Sequence, residues 1–177
     1  HLGRLVDGDR LLYVIALDRH RQGELRGPVV GTVMSNLGLE HALRSEGIEF
    51  LRAAVGDRYV LELMKKQGSM LGGETSGHLL CLDRTTTGDG LVSALQVLAV
   101  MKRTGRSLAE LAAGMPRFPQ VMVNVRVRER IDPRQSPAIQ EHVRRVEQAL
   151  GTTGRVVLRA SGTEPLIRVM VEGQDDQ

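Results

Sequence analysis

The chain has 177 residues, of which 41% are hydrophobic and 25% are charged, as is typical of a globular protein. Basic residues exceed acidic ones only slightly, 24 against 21, and there is no Trp with only two Tyr and two Phe, too few for a base-stacking nucleic-acid platform. No apolar run approaches the roughly 20 residues that cross a bilayer, so we expect no membrane partner. Because aromatic residues are scarce, we expect no nucleic-acid partner either.

The first two thirds of the chain alternate between predicted helices and strands. Asp7 and Asp9 precede the first apolar run as helix-capping residues. Helices are expected at residues 10–17, 37–45, 59–66 and 91–104, and strands at residues 29–34, 48–55 and 79–82. Ser107 and Glu110 form a capping box for one more short helix. This alternation predicts a three-layer α/β domain with a mainly parallel sheet, whose ligands bind at the carboxyl ends of the strands.

Cys81 is the single cysteine and lies in the apolar run 79–82. One cysteine excludes an internal disulfide and favours a reducing, cytoplasmic location. Because its neighbours are apolar, we expect a buried thiol rather than a nucleophile.

Two prolines, Pro116 and Pro119, interrupt both patterns and indicate a domain boundary. We place one domain at residues 1–114, a linker at 115–120 and a second domain at 121–177. In the second domain, valines from Val121 to Val127 alternate with polar residues as a half-buried strand. Arg126, Arg128 and Arg130 would share the other, solvated face. A helix beginning at Ser136-Pro137 and two further strands complete a small α+β unit.

A turn near the C-terminal end combines hydroxyls, a glycine and two arginines. Arg159 and Arg168 flank Ser161, Gly162 and Thr163, with strand-like apolar runs on either side. Hydroxyls, a glycine that lets backbone N–H groups approach, and guanidinium forks are what an exposed phosphate requires. The pattern predicts a phosphate-binding loop; a tight turn with two solvated arginines remains the alternative.

A second candidate site is the run 72–78, Gly-Gly-Glu-Thr-Ser-Gly-His. Glycines on both sides free the backbone to approach a ligand. Glu74 and Ser76, two apart in an extended loop, would point the same way and grip adjacent sugar hydroxyls. His78 could donate to a phosphate or move a proton near neutral pH. The alternative is a glycine-rich turn whose glutamate caps a neighbouring helix.

Together these loops resemble those of the α-D-phosphohexomutases, which carry a Gly-Glu-x-Ser-Gly-His loop in their third domain and an Arg-x-Ser-Gly-Thr-Glu-Pro loop in their fourth. Thr75 stands where that family commonly has Gln or Asn. Further segments resemble the bacterial phosphoglucosamine mutases of that superfamily, namely residues 32–40, 55–60, 85–90, 118–120 and 166–173. The resemblance covers essentially the whole chain in the family's order.

The resemblance implies a third domain and most of a fourth, TBP-like domain of an isomerase that interconverts glucosamine 6-phosphate and glucosamine 1-phosphate. In that family the reaction passes through a phosphoserine and a bisphosphate intermediate, and it supplies UDP-N-acetylglucosamine for the cell wall. The residues implied to contact the sugar are Glu74, Ser76 and His78. Those implied to clamp the phosphate that does not react are Arg159, Ser161, Gly162, Thr163 and Arg168.

The family's phosphoserine loop and Mg²⁺ site are expected upstream of this chain. No Ser-His-Asn stretch occurs here, and Leu5 stands where the metal loop would have its first aspartate. We therefore expect a fragment with no catalytic serine and no metal ligand, which binds a sugar phosphate weakly and is inactive alone. A phosphomannomutase or phosphoglucomutase and a non-catalytic sugar-phosphate-binding module are the alternatives. Monomer and homodimer both remain open.

Overall fold

The computed structural model describes residue 3 and residues 5–129, 131–161 and 164–174. The chain divides into two compact units, His1–Arg117 and Phe118–Gln177. Among the described residues, no helix combines the length and the apolar composition that crossing a membrane requires.

Within the described residues, the first unit contains one sheet. Its strands are β1 (Val29–Thr32), β2 (Phe50–Ala53), β3 (Leu71–Gly73) and β4 (Leu79–Cys81). They lie in the order β2-β1-β3-β4, with β1 parallel to both β2 and β3 and with β4 antiparallel to β3. The predicted mainly parallel sheet is confirmed, and β4 is its antiparallel edge.

Helices cover both faces of this sheet. They are α1 (Gly8–Arg21), α2 (Leu37–Ser45), α3 (Asp57–Gln67), α4 (Gly90–Thr104) and α5 (Leu108–Ala112). One cluster of buried side chains joins α1, α2 and α4 to Val29 and Leu79, and a second joins α3 to Val30 and Leu80. Because successive strand residues point to opposite faces, these neighbouring pairs place the sheet between two helix layers. The predicted three-layer α/β fold is confirmed.

The central strand β3 lies outside the residue ranges in which the sequence predicts strands. Two of its three residues are Gly72 and Gly73, so the β-branched and aromatic signature of a strand is missing. A Cβ atom at Gly72 would lie 2.8 Å from the Val30 carbonyl oxygen and 2.6 Å from the Met64 sulfur. Glycine at this position therefore lets β1 and α3 approach β3 closely.

The second unit is a small α+β unit, as predicted. Its elements are β5 (Gln120–Arg126), a 3₁₀ helix (Pro133–Gln135), α6 (Pro137–Leu150), β6 (Gly154–Ala160) and β7 (Leu166–Gly173). The strands lie in the order β5-β7-β6, and β7 is antiparallel to both neighbours.

The prediction of a half-buried strand at 121–127 is wrong for β5. All its residues are exposed, and Val121 and Val123 keep 63% and 53% of their surface. β5 lies at the edge of the sheet, whereas the apolar side chains of α6 face β6 and β7 across an apolar groove of 400 Å³. The alternation is present, but α6 covers the other two strands.

The predicted stripe of three arginines on one strand face is also corrected. Arg126 is the last residue of β5, and Arg128 lies beyond the end of the strand. Arg130 falls outside the described residues. Strand alternation therefore does not place Arg128 beside Arg126.

Candidate functional site

The Glu74 loop, residues 74–78, connects β3 to β4 at the edge of the sheet where the parallel strands β1 and β3 end. It is a tight turn, because the Gly77 N–H donates to the Glu74 carbonyl oxygen over 2.9 Å and Gly77 has a φ of 98°. Ser76 is exposed at its tip. The expected extended conformation of this loop is wrong, because residues 74–77 form a turn.

The Glu74 carboxylate reaches the N-terminus of α3. Its Oε1 accepts a hydrogen bond of 3.0 Å from the N–H of Gly56, the residue that precedes α3 and has no side chain to cap it. Negative charge is favoured at this end of a helix. Glu74 thus does what one alternative foresaw and holds a neighbouring helix. Its Oε2 has no hydrogen-bond partner in the described part of the chain, so a ligand hydroxyl can use it.

The side chain of His78 lies close to two other segments, the first turn of α3 and the segment before α4. Its Nε2 lies 3.5 Å from the Asp57 carboxylate in the first turn of α3, and its ring contacts Gly88 in the segment before α4. The His78 side chain keeps 40% of its surface. The segments that begin α3 and α4 therefore meet at one imidazole that solvent can reach.

The N-terminus of α1 packs against the Glu74 loop. Asp7 caps α1 by accepting a 3.1 Å hydrogen bond from the Arg10 N–H, as predicted. Asp9, predicted to cap as well, is instead fully buried, at 0% exposed. It accepts hydrogen bonds from the Asn36 N–H over 2.8 Å and from the Thr75 hydroxyl over 2.9 Å. Burial raises the pKa of the Asp9 carboxyl.

The described residues do not fit a magnesium site. None of their His, Cys, Asp and Glu side chains form a group of three or more that could hold a metal ion. At Asp7 and Asp9, N–H and O–H donors already point at carboxylate oxygens that a cation would need. Cys81 is buried, and burial raises the pKa of its thiol more than the nearby Arg19 lowers it, which disfavours the thiolate that a nucleophile needs.

The Ser161 loop, residues 161–165, joins β6 to β7. The Ser161 N–H donates to the Leu166 carbonyl oxygen over 2.9 Å, and the Ser161 hydroxyl accepts from the Glu164 N–H over 3.3 Å. Ser161 is thereby held at the start of the loop and is buried. Gly162 and Thr163, two of the predicted phosphate ligands, lie outside the described residues.

Arg159 and Arg168 are directly opposite each other in the antiparallel pair β6–β7. Asn124 of β5 is directly opposite Arg168 on its other side. Residues directly opposite across an antiparallel pair share a face of the sheet. The three side chains therefore form a row, on the face opposite to the one that carries Val156, Leu158 and the α6 helix.

The arginine pair is electrostatically unusual. Burial lowers the pKa of Arg159, and the positive charge of Arg168 lowers it further. The Nε atoms of both arginines are buried without a hydrogen-bond partner in the described part of the chain. Like charges directly opposite on a sheet destabilise it, and buried donors are normally paired. An anion bound between the two guanidinium groups would satisfy both requirements.

Comparison with known families gives two matches in chain order. The α/β/α domain III of phosphoglucomutase/phosphomannomutase matches residues 7–118, and the C-terminal domain of the same proteins matches residues 122–177. The chain belongs to the phosphoglucomutase/phosphomannomutase family. The resemblance drawn from the two loop motifs is confirmed.

Curated members of the family are similar over the whole chain. The phosphoglucosamine mutase of Methylococcus capsulatus is 63% identical over 99% of this chain, and that of Aeromonas salmonicida is 58% identical over 100% of it. This chain spans only 39% and 40% of the length of those two relatives.

A solved structure has the same fold. The N-acetylphosphoglucosamine mutase of Aspergillus fumigatus, in complex with GlcNAc-6P and magnesium, gives a TM-score of 0.80 at 22% identity. The match covers 97% of this chain and 44% of that protein.

Proposed function

We propose that this chain is the substrate-binding part of a phosphoglucosamine mutase, which interconverts glucosamine 6-phosphate and glucosamine 1-phosphate in the cytoplasm. The name and the high identity of the curated relatives support the amino-sugar substrate. The ligands of the fungal neighbour support a sugar phosphate as the small-molecule partner.

The observation that carries the proposal is the Arg159–Arg168 pair. Arg159 and Arg168 are directly opposite each other, and among the described residues their buried Nε atoms have no hydrogen-bond partner, which supports a site for a doubly charged anion. A guanidinium binds a phosphate through two parallel N–H bonds, which fixes its orientation as well as its position. The pair with Ser161 clamps the phosphate that does not react, and we assign Gly162 and Thr163 to the same clamp.

The Glu74 loop supplies the sugar contacts in this proposal. Glu74 offers Oε2 to a sugar hydroxyl while Gly56 fixes its other oxygen. Ser76 presents an exposed hydroxyl at the tip of the turn, and His78 a partly exposed ring. Contacts to parts of the substrate that do not react orient it and contribute binding energy to the transition state.

This chain's residues bind and orient the substrate in the proposed reaction. We propose that the phosphoserine, which gives its phosphoryl group to the substrate and regains one from the bisphosphate, belongs to another part of the protein. The same holds for the ligands of Mg²⁺, an ion that stabilises a transferring phosphoryl group.

Steady-state kinetics of the full-length protein tests the clamp. Arg168→Ala should lower kcat/KM for glucosamine 6-phosphate by about 10- to 100-fold, since it removes charge-assisted hydrogen bonds. Arg168→Lys should recover only part of this, because an ammonium lacks the fork. Arg145→Ala, which removes an exposed arginine paired with Glu141 on α6, is the matched control. Equal effects of the variants at 145 and 168 would contradict the clamp.

The family name also covers mannose and glucose phosphates, so the substrate needs its own test. The proposal expects kcat/KM to be highest for glucosamine phosphate when glucosamine, mannose and glucose phosphates are compared. A preference for mannose or glucose phosphate would favour the alternative mutases. The 177-residue chain alone should bind the sugar phosphate weakly and show no turnover; turnover by it would contradict the assignment of the nucleophile elsewhere.

A further inference from the structure

Asp9 is the most buried carboxylate near the Glu74 loop, and the proposed mechanism does not use it. It lies in the first turn of α1 and has no exposed surface, at 0%. Burying a carboxylate is costly unless hydrogen bonds compensate it. Its Oδ2 accepts hydrogen bonds from the Asn36 N–H at 2.8 Å and from the Thr75 hydroxyl at 2.9 Å, and the Ser35 hydroxyl is a further hydrogen-bond partner of the carboxyl.

The same helix end holds Thr75 a second time. The Gly8 N–H donates to the Thr75 carbonyl oxygen over 2.9 Å, so two successive residues of α1 fix both the backbone and the side chain of Thr75. The loop lies directly on this helix end, because a Cβ atom at Gly8 would be 2.1 Å from the Glu74 carbonyl oxygen.

Thr75 is adjacent to Glu74, whose carboxylate is bound to the Gly56 N–H at 3.0 Å. α1 thus fixes the chain next to Glu74 through its contacts with Thr75. The N-terminus of α3 fixes the Glu74 side chain. Asp9 also accepts a hydrogen bond from the backbone N–H of Asn36, the residue whose side chain caps α2. One carboxylate therefore connects the start of α1, the segment before α2 and the Glu74 loop.

We infer that Asp9 is a positioning residue, which acts through Thr75 to hold Glu74 where it can bind the sugar. The inference rests on the proposed function and adds a residue to which no sugar contact is assigned. It concerns the sugar part of the ligand alone, because the Arg159–Arg168 pair is on a different sheet.

Two pairs of variants of the full-length protein test the inference. Asp9→Ala removes the acceptor, and Asp9→Asn keeps an oxygen at the same place. Thr75→Val removes the donor without changing the shape, and Thr75→Ser restores a hydroxyl. Asp18→Asn on the same helix and Thr104→Val, whose hydroxyl bonds the Val100 carbonyl at the far end of α4, are matched controls.

The affinities for glucosamine 6-phosphate and for inorganic phosphate are measured for each variant. Asp9→Ala and Thr75→Val should weaken the binding of glucosamine 6-phosphate roughly tenfold, as loss of one hydrogen bond to a charged group does. The affinity for inorganic phosphate should not change. The Asn and Ser variants should recover most of the loss. A general loss of structure would weaken both ligands together, and that outcome overturns the inference.

Hydrogen exchange without ligand provides a second measurement that does not depend on substrate identity. Amides of residues 74–78 should exchange faster in Thr75→Val than in Thr104→Val, and unchanged exchange overturns the inference even if Asp9→Ala fails to fold. If the wild-type protein binds no glucosamine 6-phosphate, the proposed function fails and the inference with it. If the wild type binds and both variants bind equally well, only the inference fails.

Discussion

The ring of His78 lies directly against Gly88: a Cβ atom added at Gly88 would be 2.2 Å from His78 Nε2. The segment before α4 therefore determines where the imidazole can lie. Its glycine is required for the close approach rather than for an unusual φ angle.

Gly88→Ala should displace the His78 ring and lower kcat/KM for glucosamine 6-phosphate by about 10- to 100-fold, as small misplacements in an active site do. Gly90→Ala is the control, because a Cβ atom at Gly90 would meet nothing within 4 Å. Steady-state kinetics of the two variants checks this. Wild-type kinetics for Gly88→Ala would contradict a requirement for this position of the His78 ring.

Gly8→Ala should destabilise the first unit although alanine favours a helix. The new Cβ atom would meet the Glu74 carbonyl oxygen at 2.1 Å and the Gly77 nitrogen at 2.5 Å, and backbone atoms cannot rotate away. We expect a loss of about 1–3 kcal/mol in the free energy of unfolding, measured with urea. Gly90→Ala places the same substitution at the first residue of α4 and should gain about 0.4–1 kcal/mol. Equal gains in both variants would mean that the Glu74 loop does not rest on α1.

Inorganic phosphate should raise the Tm of the protein through the arginine pair. A ligand at 100 times its Kd stabilises the folded state by about 2.7 kcal/mol. Arg168→Gln should abolish this rise and cost little stability without phosphate, because it also removes a repulsion between like charges. Arg145→Gln should retain the full rise. A rise of the same size in Arg168→Gln would place the bound phosphate elsewhere.

Asp9 should make the folded state less stable as pH rises above the ordinary carboxyl pKa of 3.8. Burial raises the pKa of Asp9 in the folded state, so the protonated form stabilises the fold. This contribution is complete below 3.8 and is lost as pH rises through the raised pKa. Urea unfolding of wild type and Asp9→Asn across this range should show the stability difference moving in favour of the variant as pH increases. A pH-independent difference would contradict the burial effect.

The sequence predicted those parts of the fold that depend on a few residues close together in the chain. Asp7 caps α1, and Ser107 with Glu110 forms the expected capping box at α5. Such signals survive folding because donor and acceptor are close in sequence. The Ser161 loop also lies between two strands, as its motif indicated.

Other features depend on contacts between distant residues. Asp9 and Thr75 are 66 positions apart, so no local pattern shows that their side chains meet. β3 is identified by the strands on either side of it, because its own glycines lack a strand signature. The exposure of β5 depends on which strands α6 covers, and the alternation of its valines is the same in either case.

Calorimetric titration of glucosamine 6-phosphate into the full-length protein tests the central claim most directly, using wild type, Glu74→Gln, Arg168→Ala and Arg145→Ala. Loss of the proposed sugar contact of Glu74 or of the proposed phosphate contact of Arg168 should each raise Kd about tenfold or more, and the variant at 145 should match wild type. The affinity for inorganic phosphate should fall in Arg168→Ala but not in Glu74→Gln or Arg145→Ala. An unchanged Kd for glucosamine 6-phosphate in both loop variants would contradict the account.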